Sequence, residues 1–484
     1  LLNTLLSAKT PEKDQLALMP EVDLALRRTA LLGRQLGRSA DVAPLFSTWA
    51  RQLSELSPTV SALAAYQAGW AALGASGSTA DANRQWSSLG FLGGWRIIGP
   101  FDNERGTGFL SAYAPEKGID LDGTGEGKAR EVRWRTLPRP TLAGYVNFDK
   151  MLRPRDEALA YAATFISADA ERRLTLRIGS DESYRVWLNG KLLASEDIQR
   201  KFIFDQNAIS LPLQKGWNCL LIKIGESEGN WGFAARITGP EGRPARGWRE
   251  GLPENKTLAS YKELSASQEP EGKAAPSPTG TLATLRDRVA KDAPRARDHY
   301  LLGVLLRLQG AHDSDRHPDS DALRLAIQAD KEKGRYHYEL ARSFQAESSI
   351  AAQRDDNNWR KAMLDSEAAG CATASIRLAE YYLETFSNMH RARVHLDRAR
   401  KLNPDLLEGV LIQSRIEGKM GFPDAGRRAV KAARKIDSSS PVTLLARAAQ
   451  LGGSGQLEEK IGILGELLNR NHIDPSVRNR LVAA

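Results

Sequence analysis

From residue 12 to residue 88 the apolar positions recur at helical spacing, with Val22, Leu24, Leu26, Ala30 and Leu31 in one stretch and Val60, Leu63, Ala64 and Ala68 in another. The spacing predicts three or four short antiparallel helices. Ser57-Pro58 supplies a cap and a rigid first turn for one of them, and Gly74 with GASGS is expected to close it. Near Trp86 the period changes to two. LTLRIGS, YRVWLNGK, NAISLPL and NCLLIKI alternate or run apolar, separated by Gly, Asn, Asp and Pro, as far as Trp248. That pattern predicts an all-β unit. Residues 250–281 include GLPENK and QEPEGKAAPSPTG, with too few apolar groups to order themselves, and are expected to be a flexible linker. From residue 282 helical spacing returns and repeats. The expected architecture is a helical domain over 1–85, a β domain over 86–249, the linker, and a second helical domain over 282–484.

The repeat is clearest between residues 373 and 405, where Leu378, Ala379 and Tyr382 share one face of a first helix, Ala392, Leu396 and Ala399 share one face of a second, and Pro404 ends it. Small and large residues alternate where two helices cross closely. A following copy carries Ala425, Ala429 and Ala432, and a weaker one Leu457, Ile461 and Leu464. Two earlier copies carry Ala322, Ala326 and Ala329, and then Ala362, Ser366 and Ala369, with insertions at AHDSDRHPDS and around AESSIAAQRDDNNW. This spacing resembles the tetratricopeptide repeat, which implies an α-solenoid of five helix pairs over residues 295–472 with a continuous core. The resemblance also implies a protein-binding groove lined by first helices, at Arg297, Tyr300, Arg307, Arg335, Tyr338, Arg342, Glu380, Ser414 and Glu417. These residues are mixed in sign and do not reproduce the carboxylate clamp of chaperone-binding members.

In the β unit, WRIIGPFDNERGTGF, GSDESYRVWLNGK, LPLQKGWNCLLIKI and NWGFAARI together resemble the PA14-like and galactose-binding-like jelly-roll modules of bacterial carbohydrate-active and cell-surface proteins. The resemblance implies a jelly-roll β-sandwich. In calcium-dependent members paired acidic residues hold an ion that holds the sugar, and Asp181 and Glu182 occupy the matching position here. Two carboxylates fall short of the six to eight oxygens calcium takes, so a strand-to-strand turn is the expected role. Trp187 lies mid-strand, and the parity of that strand decides between core and sugar platform. Asp181, Glu182 and Trp187 are the candidates for carbohydrate binding. Asn189-Gly190 is the expected centre of a type I′ hairpin.

Composition trims the alternatives. The chain has 484 residues, 26% of them charged, and no apolar run near the roughly 20 residues that cross a bilayer. It opens LLNTLLSAKTPEK, without Met, and is expected to be a processed or trimmed product. Cys219 and Cys371 fall in different units, so a bridge between them is not expected, and both are expected to be buried. The net charge of +9 gathers on residues 391–435, where twelve Lys or Arg face five acidic residues. Without interleaved aromatics this reads as a solvated helix face and not a nucleic-acid site. AHDSDRHPDSD lacks the Gly and Glu of a calcium loop. No hydrolase elbow, zinc-protease or phosphate-loop motif occurs, and all seven His lie at or beyond His299. The expected function is therefore a non-enzymatic, cofactor-free protein-binding scaffold of the bacterial envelope, periplasmic or at the cell surface. The alternatives are a carbohydrate-binding protein working through the sandwich, or the non-catalytic N-terminal part of a larger hydrolase or transglutaminase-like peptidase.

Overall fold

The computed structural model describes residues 12–137, 141–227, 229–269, 277–278, 280–291, 294–309, 317–347, 356–451 and 456–470. After a short first helix, Glu12–Ala17, come helices α1 (Met19–Gln35), α2 (Ser39–Leu53), α3 (Pro58–Ser76) and α4 (Thr79–Trp86). Their shared core joins Val22, Leu26 and Ala30 to Phe46, Leu53, Leu63 and Trp86. Helix α3 does not stop at Gly74, which is buried inside it. Gly77, the second glycine of the GASGS expected to close the helix, ends it at φ 68° with its N–H bonded to the Leu73 carbonyl, because the left-handed position after a helix suits a residue without Cβ.

Besides a two-stranded ribbon of Thr124–Glu126 on Glu131–Arg133, the middle of the chain forms two large antiparallel sheets. Their strands are β1 (Arg96–Asp102), β2 (Arg135–Thr136), β3 (Val146–Asn147), β4 (Ala158–Ala168), β5 (Arg172–Asp181), β6 (Tyr184–Leu188), β7 (Lys191–Glu196), β8 (Asn207–Leu213), β9 (Gly216–Glu226), β10 (Gly232–Thr238), β11 (Trp248–Gly251) and β12 (Ser277–Pro278). One sheet runs β2-β1-β4-β9-β6-β7 with β11 also on β4, and the other runs β12-β8-β5-β10-β3. Ile97, Ala160, Val186 and Ile222 of the first sheet meet Leu176, Ile178 and Phe233 of the second in one core. The opposite face of the first sheet is also covered, by a cluster holding Ile98, Tyr161, Phe165, Trp187 and Leu221. Burial on both faces explains why β4, β6 and β9 read as continuous apolar runs. Asn189 and Gly190 turn β6 into β7 with φ 50° and 79°, the double positive φ of a type I′ turn.

Residues 250–269 depart from the flexible linker expected there. After β11, helix α5 (Asn255–Tyr261) lies across the first sheet. Tyr261 is buried and its hydroxyl donates to the carbonyl of Trp217 at 2.9 Å, while Ser267 N–H reaches the Gly190 carbonyl at 2.7 Å. A few well-placed apolar groups, Leu258, Tyr261 and Leu264, are enough to dock the segment.

The C-terminal helices begin with α6 (Gly280–Val289) and continue as pairs: α7 (Ala296–Gln309) with α8 (Pro318–Ala329), α9 (Gly334–Glu347) with α10 (Asp356–Ala368), α11 (Ala372–Glu384) with α12 (Met389–Leu402), α13 (Leu407–Lys419) with α14 (Pro423–Ile436), and α15 (Pro441–Gln450) with α16 (Leu457–Arg470). Leu378, Ala379, Tyr382, Ala392, Leu396 and Ala399 are all buried, as their spacing predicts. Two later copies are rotated from expectation. Helix α14 buries Gly426, Ala429, Val430 and Ala433 and leaves Ala432 outside, and α16 buries Ile463, Leu464 and Leu467 while Leu457 and Ile461 are exposed. Much of the two insertions, His312, Asp313 and Asp315 included, lies outside the described residues. No described helix is long and apolar enough to cross a membrane.

The units touch one another. Tyr66 of α3 stacks on Phe204 of the β unit at 4.4 Å. Helix α1 docks on the C-terminal run: Leu24 enters the cluster of Leu285, Leu301 and Leu305, Thr281 donates to Asp23 at 2.6 Å, and Arg297 pairs with Glu21 at 3.1 Å.

Candidate functional site

The site grows from one carboxylate. Glu339, on the first helix of the second pair, is buried and accepts from three guanidiniums: Arg307 of α7 at 2.5 Å, Arg28 of α1 at 2.7 Å and, more loosely, Arg342 at 3.4 Å. Burial drives the Arg307 pKa down and the Glu339 charge opposes it, so the pair is held by proximity in a dry setting. Arg28 also donates to the Tyr300 hydroxyl at 3.2 Å. Beyond this hub the two elements separate and enclose a groove of about 870 Å³.

One wall is α1, with Leu31 at 36% and Leu32 at 52% exposure. The other is built from α9, α10 and α11, with Tyr338, Trp359, Met363 and Tyr381 among charged residues. Trp359 and Tyr381 pack at 4.9 Å. Arg377 bonds Glu380 at 2.6 Å, and Arg415 bonds Glu384 at 2.5 Å. Cys371 lines the groove half-buried as a free thiol, whereas Cys219 is fully buried and its thiol is pushed up to about 12 by burial.

Of the residues expected in a protein-binding groove, Arg335, Tyr338, Arg342 and Glu380 line this one. Arg297, Tyr300 and Arg307 instead lie under or behind α1, engaged by Glu21, Arg28 and Glu339. Ser414 ties α13 to the Gly426 carbonyl at 2.9 Å, and Glu417 pairs with Arg393 at 2.7 Å; neither borders the groove. Sequence reasoning missed Arg28, Leu31, Leu32 and Glu339. The signal was a second stripe on α1, Leu24, Arg28 and Leu31 at i, i+4 and i+7, facing away from the Val22, Leu26 and Ala30 stripe.

The sugar-binding candidates do not come together. Trp187 is 1% exposed, and its indole N–H donates to the Ser267 carbonyl at 2.8 Å beneath the docked segment 252–269. It cannot stack on a sugar ring there. Asp181 ends β5 in the other sheet, with a pKa raised to about 7 by burial and by Glu182. Glu182 sits at φ 67° and accepts from Ser227 N–H at 2.6 Å, as a turn residue does. Glu226 nearby has both carboxylate oxygens buried without a hydrogen-bond partner, and burial with Glu182 and Asp181 pushes it up to about 10. Among the described residues no group of three His, Cys, Asp or Glu could hold a metal ion.

A second polar cluster is fully engaged. The Lys223 ammonium, its pKa lowered to about 8 by burial, donates to Glu116 at 3.0 Å and to the carbonyls of Phe109 and Ser111 at 2.8 Å. Tyr161 and Gln268 donate to the same carboxylate. The basic stripe over 391–435 is partly paired through Arg393, Arg398, Arg415 and Arg427, with Arg428, Lys431, Arg434 and Lys435 exposed on α14.

No protein-family model matches the chain, and no curated protein matches it. Among solved structures it is similar to TTC0263, a tetratricopeptide repeat protein of Thermus thermophilus, at 16% identity over 39% of this chain and 97% of that one, with a TM-score of 0.29. It is also similar to yeast Tom70, at 11% identity over 47% of this chain and 45% of that one, with a TM-score of 0.31. The chain thus spans less than half the length of the yeast protein. At these TM-scores the likeness adds no weight to the helix-pair pattern already visible in the chain.

Proposed function

We propose that this chain is a non-enzymatic protein-binding scaffold whose partner polypeptide lies in the groove between α1 and the first helices of a tetratricopeptide-like solenoid. The observation that carries the reading is the groove itself. Leu31 and Leu32 stand exposed across from Tyr338 and Tyr381, and single exposed apolar residues are ordinary whereas two facing apolar walls favour an occupant. The β unit, in this reading a jelly-roll sandwich, is a recognition or spacer module joined to the groove side through α3, whose core takes in both α1 and Phe204. An envelope location rests on the resemblance of that unit to cell-surface modules.

Photo-crosslinking tests the reading. A benzophenone side chain placed at Tyr338 should form polypeptide adducts in source cells, and one at exposed Leu402, at the end of α12, should not. Equal adduct formation at the two positions would defeat it. Fractionation of the tagged chain with cytosolic proteins would remove the envelope assignment.

A further inference from the structure

We infer that the groove is a two-sided clamp for an acidic peptide segment carrying leucine-type side chains, with α1 supplying one of its jaws. The inference rests on the groove reading above and adds the chemistry of the partner. Charge is the first argument. Glu339 already serves three guanidiniums, and Arg28 and Arg342 remain 28% and 35% exposed beside it. A carboxylate has about four acceptor sites, whereas each guanidinium carries five N–H donors, so donors outnumber acceptors at this end of the groove. Arg335, on the rim, has no acidic partner among the described residues. Incoming carboxylates would find forked, charge-assisted donors already held in place.

Shape is the second argument. Leu31 and Leu32 on α1 face Tyr338 and Tyr381 across a space of about 870 Å³, within the range of about 300 to 1,000 Å³ that takes a compact ligand. A nucleic-acid backbone would satisfy the guanidiniums and leave both apolar walls wet. A peptide alternating acidic and leucine side chains satisfies both. The jaw on α1 comes from outside the repeats, so the binding surface is complete only while α1 is docked through Leu24, Asp23 and Arg28.

Fluorescence anisotropy on the full chain tests this with three labelled peptides of about twelve residues, sharing one leucine pattern and carrying Glu, Ser or Lys between the leucines. The Glu peptide should bind about tenfold more tightly than the Ser peptide, with the Lys peptide weakest, and the advantage should shrink in high salt. Leu32→Ser on the α1 jaw and Arg335→Ser on the opposite jaw should each weaken the Glu peptide by about tenfold. Both side chains are exposed, so unchanged circular dichroism and melting would show that each variant is folded; Leu31→Ser serves if one is not. Ser and Glu peptides binding equally would overturn the acidic preference and leave the groove reading standing. Loss of binding on Arg335→Ser but not on Leu32→Ser or Leu31→Ser would overturn the α1 jaw. No binding by any peptide would overturn this inference together with the groove reading.

Discussion

Replacing Glu339 by Gln keeps the side-chain shape and removes the charge on which three guanidiniums converge. The Arg307 and Glu339 side chains are 8% and 3% exposed, and breaking a buried pair costs about 3–5 kcal/mol because it strands the remaining charge. Gln retains one acceptor, which places the cost to the helix pairs at about 3 kcal/mol. The Arg28 side chain is 28% exposed, so its contact with Glu339 is a half-wet pair worth about 1 kcal/mol. These two figures fall on different elements. Hydrogen exchange should therefore show protection in α7 and α9 falling about a hundredfold, and protection in α1 about fivefold. Arg28→Ala should reproduce the change in α1 and leave α9 alone. Unchanged protection in α9 would show that the buried pair contributes nothing net. A drop in α1 as large as that in α9 would mean that the helix and the repeats open as one unit, refuting the partition.

Two other expectations concern the β unit. Glu226 has its pKa raised from 4.5 to about 10, so the folded state binds the proton more tightly than the unfolded chain; its favourable contribution is complete below pH 4.5 and drains away as pH rises toward 10. Glu226→Gln should flatten the fall in melting temperature between pH 5 and pH 9 and raise stability at pH 8 by about 2 kcal/mol; an unaltered pH profile would rule out a buried neutral carboxyl. Tyr261→Ala should cost about 3 kcal/mol, shift tryptophan emission to the red as Trp187 and Trp217 meet water, and open residues 252–269 to protease, whereas a wild-type cleavage pattern would mean that the segment docks without its aromatic anchor.

The units were legible in the sequence because each keeps one period, and the repeats because small residues recur where helices cross. What stayed hidden depended on contacts distant along the chain. The parity of Trp187 could not be decided while only one sheet face was assumed to be covered, since both of its neighbours, Val186 and Leu188, also turn out to be buried. Residues 252–269 have the composition of a linker, and three apolar side chains outweighed it. Of the residues placed on first helices by the repeat pattern, Arg335, Tyr338, Arg342 and Glu380 line the cavity beside α1. The partner of the second stripe on α1 was not readable, because periodicity tells which face wants burial and not what buries it.

The contact between Arg28 and Glu339 spans 311 positions of chain. A ribosome adding roughly 5–20 residues per second needs roughly 15 to 60 s to travel from one to the other. For that interval α1 is already made while its second stripe has nothing to pack on, so Leu24 and Leu31 form a sticky face on the nascent chain. Holding that face out of trouble falls to whatever meets the emerging polypeptide, because α1 can be captured only once the helices carrying Leu301 and Glu339 have been made.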